Sequence, residues 1–436
     1  MAKYQAYAEY KDSGVEWLGE IPSHWDYFDG KRIFSSVRKQ ALSSDEQLAA
    51  SQKYGVIPQN LMMQLNDSKV MLALKGTESF RHVEKNNFVI SLRSFEGGIE
   101  HSNYEGCVSP AYTVLSSKKN IDYRYFKYLF KSAPFIAALQ STTDSLRDGK
   151  SISYEQFGNI TLPLFSKVEQ NTIANFLDHE TTKINHLIEK QQKLIELLKE
   201  KRQAVISYLV NVKEGEASIK LKYAVEILAG YSFSSTGFKT DSNDGVALLR
   251  GINVGVGNIK WDECVWWSKS DTEGLERYIL KKGDLVFGMD RPWISTGARV
   301  AEIQEYDLPS YLVQRVARVR ALRGFYQPYI KLILGSKEFK SFIESDLTGV
   351  SVPHISTDQI ISFPIRKLYF EQQVKQTDQA IESINKIDFL IVKAESAIQL
   401  MQERRTALIS AVVTGKIDVR NWQAPTIAEA QTEFSA

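Results

Sequence analysis

The residues best placed for chemistry in this chain are basic side chains on loops that follow short apolar runs. Arg93 and Ser94 lie in Leu92-Arg93-Ser94-Phe95-Glu96-Gly97-Gly98, after the run Phe88–Leu92. Arg291 lies in Gly288-Met289-Asp290-Arg291-Pro292-Trp293, after Asp284–Phe287. Arginine, lysine and serine on projecting loops complement the acceptor and donor pattern of base edges in a major groove. Neighbouring glycines let backbone come close to such a surface. Lys75, Arg81, Arg250, Lys260 and Arg299 are further candidates for base or phosphate contact. For each of them a solvated surface charge or a local ion pair is the competing reading.

Bond-making chemistry has much less support. Gly149-Lys150-Ser151 resembles the end of a phosphate loop, but Asp144 stands where the first glycine belongs. No glycine-rich dinucleotide fingerprint follows a strand, and no Asn-Pro-Pro or Asp-Pro-Pro run could hold a target amine. His179 and His186 are seven apart without a third ligand, and read as structural. Cys107 and Cys264 lie far apart and read as free thiols of a reducing cytoplasm. No catalytic residue and no metal ligand is therefore expected in this chain.

Two long helices are the elements that would position these loops. One carries Leu177, Ile184, Gln191, Leu198 and Val205, interleaved with Thr181, Ile188, Ile195, Arg202 and Leu209. Shifted by 203 residues, the same pattern recurs, with Ile184, Ile188, Ile195 and Arg202 unchanged as Ile387, Ile391, Ile398 and Arg405. Such heptad seams ask for a partner helix, and the simplest partner is the other copy, antiparallel. The seam arginines could then each meet a carboxylate near the far helix's start, meet one on a partner subunit, or stay solvated. Packing of each helix on its own domain, or against another protein, is the alternative.

The globular halves repeat as well. Strands are expected over Lys69–Leu74, Phe88–Leu92, Gly245–Gly251, Asp284–Phe287 and Leu312–Val319. Helices are expected over Ile121–Leu139, bent or broken by Pro134, and over Tyr329–Ile343. Ile152-Ser153-x-Glu155-Gln156 answers Ile355-Ser356-x-Asp358-Gln359 at the same 203-residue shift. Gly415 is placed to stop the second long helix, and the stretch from Asn421 has the composition of a disordered tail. At 436 residues the chain needs more than one core, and a net charge of +2 rules out a generic polycation coating nucleic acid. No apolar run is long enough for a membrane span, and Met1–Gly14 lacks a signal-peptide core.

Together these residues resemble the specificity subunit of type I restriction-modification enzymes. Gly14-Val15-Glu16-Trp17-Leu18-Gly19-Glu20-Ile21-Pro22-x-His24-Trp25 is similar to the opening of that family. Phe88–Phe95 with Gly97–Glu100 and Val108–Tyr112 resembles its first recognition domain. Leu249–Asn253 and Lys282–Phe287 resemble strand openings of the second. The resemblance implies an α+β chain with an internal pseudo-two-fold repeat, in which two long conserved helices form an antiparallel coiled coil. Its parts would be a recognition domain over 1–165, a spacer helix over 166–212, a second recognition domain over 213–365, a second helix over 366–415 and a tail over 416–436. It implies a non-catalytic reader of a bipartite double-stranded DNA target. Two methyltransferase subunits would bind S-adenosylmethionine and methylate adenine, and restriction subunits would complete the complex. A non-DNA coiled-coil scaffold and a self-contained DNA-modifying enzyme are the alternatives.

Overall fold

In the computed structural model, the two heptad patterns form helices over Lys167–Val210 and Phe370–Val413, each 44 residues and therefore about 66 Å long. The structure describes residues 4–66, 77–142, 152–242, 245–271, 273–345 and 354–425. The chain divides into two compact units, residues 1–192 with 396–436, and residues 193–395. The cuts after Gln192 and Glu395 are themselves 203 residues apart, so each unit takes half of each long helix.

Within the first unit, Ile173, Phe176, Leu177 and Ile184 share a core with Leu408, Ile409, Val412 and Val413. The beginning of one helix thus packs on the end of the other. In the second unit Ile206, Leu209 and Val210 share a core with Ala380 and Ile384, the end of one on the beginning of the other. The two helices run antiparallel in both. The expected seam is visible residue by residue: Ile184 and Ile387 are buried, and Ile188, Ile195, Ile391 and Ile398 are half-buried. Arg202 meets a carboxylate of the other helix, Asp388 at 2.8 Å, which lies near that helix's middle and not at its start. Arg405 does not follow suit. Its buried Nε has no hydrogen-bond partner, and the residue 203 before Asp388 is Asn185, which carries no charge.

Each unit builds a four-stranded antiparallel sheet of the same order. In the first it runs Phe34–Val37, Thr113–Ser117, Phe88–Ile90, Glu100–His101. In the second it runs Val225–Ala229, Val316–Ala321, Leu285–Gly288, Val300–Glu302. Phe88, Val89 and Ile90 are all buried because both faces are covered. Phe88 and Ile90 face Phe126 and Phe130 of the helical side, while Val89 joins Leu48, Val56, Val83 and Val108 on the other. A continuous apolar run is what two-sided burial selects.

Three expected elements are subdivided. The helix over Ile121–Leu139 is two, Tyr123–Leu129 and Ala133–Ser141, with Pro134 in the first turn of the second, where its missing N–H costs nothing. Tyr329–Ile343 likewise divides into Gln327–Leu334 and Lys337–Ser345. The strand over Leu312–Val319 is two strands in different sheets, Ser310–Leu312 and Val316–Ala321, because Arg315 turns the backbone at φ 66°. Lys69–Leu74 lies outside the described residues.

Buried glutamines tie each long helix to its own domain by the same device. Gln170 accepts from the Asp122 N–H at 2.8 Å and donates to the Phe165 carbonyl at 2.8 Å. Gln373 accepts from Tyr326 N–H at 3.0 Å and donates to Leu368 at 2.9 Å. The repeated Ser153-Gln156 and Ser356-Gln359 pairs are both capping boxes. Gly415 closes the second helix at φ 73°.

The Gly14–Trp25 segment is a plug in the first core: Leu18, Ile21 and Trp25 are buried, and Trp25 stacks on Phe165 at 3.9 Å. Glu169, also buried, accepts from the Tyr7 hydroxyl at 2.8 Å and the Trp25 indole at 3.0 Å, and faces His24 Nε2 at 2.9 Å. Part of the expected tail is ordered, since Trp422 packs on Phe176 at 5.7 Å and on His179. Residues 426–436 lie outside the described residues.

His101 gives the first unit an acid sensitivity. Burial, reinforced by Lys127, pushes its imidazole down to about 4. The folded ring stays neutral while the unfolded chain binds a proton near the ordinary histidine value of about 6.5. Its contribution is therefore fully present above that pH and is lost as the pH falls towards 4, on the order of 3 kcal/mol. Urea unfolding at pH 7 and pH 4.5 should show this loss, and His101→Gln should reduce it. An equal loss in the variant would assign the sensitivity to other groups.

Candidate nucleic-acid interface

Arg93 and Arg291 occupy matching places. Each lies three residues past the third strand of its sheet, Phe88–Ile90 in one and Leu285–Gly288 in the other. Both are exposed, and neither guanidinium group makes a hydrogen bond or ion pair to another described residue, although the Arg93 backbone is bonded within its own turn. Two free guanidinium groups at the same station of two like sheets are what paired readout needs.

The neighbouring candidates divide by what already holds them. Ser94 is only 1% exposed, and its hydroxyl accepts from the Ser91 N–H at 2.8 Å, shaping the turn that presents Arg93. Gly98 lets that turn press against the domain, for a Cβ there would stand 2.0 Å from the Phe130 carbonyl oxygen. Arg81 donates to the Tyr112 carbonyl at 2.6 Å, and burial, with Arg38 adding to it, lowers its pKa. Arg299 is engaged threefold, with Val254 at 3.0 Å, Asp290 at 2.8 Å and the Gly251 carbonyl. Burial lowers its pKa too. Since its own N–H also donates to Pro292 at 2.7 Å, Arg299 grips the chain on both sides of Arg291 and sets that loop. Arg250 donates to the Glu263 carbonyl at 2.5 Å, and the Lys260 side chain is exposed. Lys75 lies outside the described residues.

Beside Arg291 is a cluster that the linear pattern did not single out. Asp290 Oδ2 accepts from Arg315 at 2.8 Å, and Oδ1 faces His354 Nδ1 at 2.6 Å. Burial works to raise the Asp290 carboxyl, but the hydrogen bonds from Arg315 and His354 outweigh it and hold it below the usual range. Reading Leu312–Val319 as one strand hid Arg315. The signal available was that its partner 203 residues earlier, Tyr112, ends a Ser-Pro-Ala-Tyr turn.

Comparison with known proteins places this arrangement. A family model described as the type I restriction modification DNA specificity domain matches residues 22–197. The MjaVIII specificity subunit of a type I restriction enzyme from Methanocaldococcus jannaschii is 25% identical over 422 residues, 92% of this chain and 95% of that one. The EcoAI specificity subunit of Escherichia coli is 31% identical over 186 residues, 42% of this chain and 31% of that one. Among solved structures, the HsdS subunit from Thermoanaerobacter tengcongensis shares the fold at TM-score 0.58 and 11% identity, over 91% of this chain and 98% of that one. A second chain, solved in work on the assembly and conformational transition of the type I R-M system, does so at TM-score 0.68 and 10% identity, over 90% and 98%.

Proposed function

We propose a division of labour that starts from one fact: this chain belongs to the specificity subunits of type I restriction-modification systems. It binds DNA sequence-specifically and directs methylation and restriction, whose chemistry resides in partner subunits. The single observation carrying the finer reading is the pair of like sheets, each with an unengaged arginine three residues past the equivalent strand. On this reading each unit reads one half of a split target, Arg93 in one half and Arg291 in the other, with Arg250 and Lys260 available for base or phosphate contacts and Lys75 a candidate from the sequence alone.

The partners follow from the other face of the helices. Leu187 and Leu197 are exposed, and so are Leu390 and Leu400, their counterparts 203 residues on. Exposed leucines repeated at equivalent stations of two like helices suit two copies of one partner, and we assign them to two methyltransferase subunits. They would hold S-adenosylmethionine, with restriction subunits joining the full complex in the cytoplasm. Among the described residues no helix is long and apolar enough to cross a membrane.

Methylome sequencing of cells carrying this chain with its methyltransferase tests the reading. The expected result is a methylated adenine motif split by a fixed gap of unspecified bases. Arg93→Ala should relax one position in one half and Arg291→Ala one position in the other, each by roughly 1–3 kcal/mol of discrimination. A uniform loss across all sequences would make either residue a phosphate contact. Changes in both halves from one substitution would refute independent reading.

A further inference from the structure

Among the described residues, three that are not glycine have a positive φ: Asn86 at 71°, Arg291 at 44° and Arg315 at 66°. Asparagine visits this region readily, because its short polar side chain bonds locally. Arginine has no such compensation, and strained backbone of this kind persists only where surrounding structure over-determines it. Here two strained arginines flank one carboxylate. Asp290 directly precedes Arg291 and bonds Arg315 at 2.8 Å.

Hydrogen bonds fix this backbone in place. The Met289 N–H donates to the Arg315 carbonyl at 2.9 Å, and the Ile355 N–H donates to the Met289 carbonyl at 2.9 Å. Arg299 holds the Asp290 carbonyl at 2.8 Å. The Arg315 side chain remains 63% exposed, with one guanidinium nitrogen engaged. His354 on the second carboxylate oxygen restrains Asp290 itself.

We propose that Arg315 reads a base edge in the half-site contacted by the second unit, and that Asp290 is a positioning residue that fixes the plane of its guanidinium. The inference rests on the reading of that unit as a DNA-recognition domain. Charge distinguishes a base edge from a phosphate as the target. Asp290 neutralises much of the arginine's charge and would itself repel a phosphate, so the pair is poorly built for backbone attraction. A guanine edge presents two neutral acceptors in a fixed geometry, and rewards an oriented guanidinium fork. The first unit has Tyr112 at the corresponding position, so the two halves would read unlike sequences with unlike residues.

The experiment is methylome sequencing of the chain co-expressed with its methyltransferase, as wild type, Arg315→Ala, Arg315→Gly, Arg315→Lys and Asp290→Asn. The Ala, Gly and Lys variants should all relax the same single position, losing roughly 5- to 150-fold discrimination there. Lysine fails because it keeps the charge without the fork. Asp290→Asn should relax that same position to a smaller degree, an outcome that general loosening of the loop would not produce. Glycine adopts φ 66° without strain, so Arg315→Gly should melt no lower than wild type while still losing selectivity. An unchanged motif, or a uniform loss at every position, overturns the assignment of Arg315. A wild-type motif that is not split overturns the underlying reading and this proposal with it.

Discussion

Inserting one heptad into both long helices, after Gln191 and after Ala394, should keep both halves of the methylated motif and widen the gap between them. Seven residues add about 10 Å of helix, which equals the rise of roughly three base pairs. The insertion points adjoin the cuts between the two compact units. Neither core is disturbed there, because one draws on Ile184, Leu408 and Val412 and the other on Ile206, Leu209 and Ile384. A whole heptad also keeps the seam in phase, whereas three or five residues would rotate it. Three base pairs turn the duplex by about 100°, at roughly 10.5 base pairs per turn. The complex must twist, or settle on a nearby gap that restores groove facing. The expected increase is therefore some value up to about three base pairs. Full activity with the original gap would show that the helices do not set the distance.

Glu169→Ala should destabilise the first unit about as much as truncating one of its buried aromatic side chains. The carboxylate is buried and accepts from the Tyr7 hydroxyl and the Trp25 indole, both buried themselves. Burial first, and then the adjoining carboxylate, raises the Tyr7 phenol far above its ordinary range, so it stays a neutral donor. Alanine leaves two buried donors without an acceptor and His24 without its partner. Unpaired buried donors cost about 1–3 kcal/mol each, so a loss of roughly 3–5 kcal/mol is expected. For a unit of this size that lowers the melting temperature by roughly 10 °C. Glu169→Gln retains one acceptor and should lose less. Hydrogen exchange should localise the damage to residues 7–25. An alanine variant that melts like wild type would show that water replaces the carboxylate at no cost.

The long helices were legible because their signal is periodic over dozens of residues and occurs twice. Ile184, Ile195, Ile387 and Ile398 could be placed at a seam from spacing alone. The antiparallel pairing followed, since neither apolar stripe could be left bare. Element ends were less legible. The breaks at Arg315 and at Gly335-Ser336 depend on local backbone turns inside runs that stay apolar on both sides.

At the candidate interface, Arg93 and Arg291 stood out because a strand followed by a glycine-containing loop is a local pattern. What separates them from Arg81 and Arg299 is not local. Arg81 is held by Tyr112 and Arg299 by Val254, 31 and 45 residues away. Whether a guanidinium is free or engaged depends on which carbonyls the folded loops bring to it, and linear spacing carries no record of that. The Ser94 hydroxyl suits base readout by type, but in the fold it is bonded inward to its own turn. Arg405 makes the same point at the seam. The repeat copied the arginine, but the partner position holds Asn185 where its counterpart holds Asp388.

The second long helix ends beside the beginning of the chain. Lys416 reaches the carbonyls of Leu18 and Glu20, and the Asp418 N–H donates to the Gln5 carbonyl at 2.8 Å. In the second unit the first long helix runs on, through residues 211–217, into the strand Ser218–Lys220. One junction is covalent and the other is a set of hydrogen bonds, yet both return a long helix to the first residues of a globular part. Hydrogen bonds at one junction therefore take the place that a run of peptide holds at the other. A peptide linking the two ends, with new termini cut at 211–217, would exchange the order of the halves along the chain while leaving each unit's contacts as they are. Which half comes first is a property of the gene, and the folded protein does not record it.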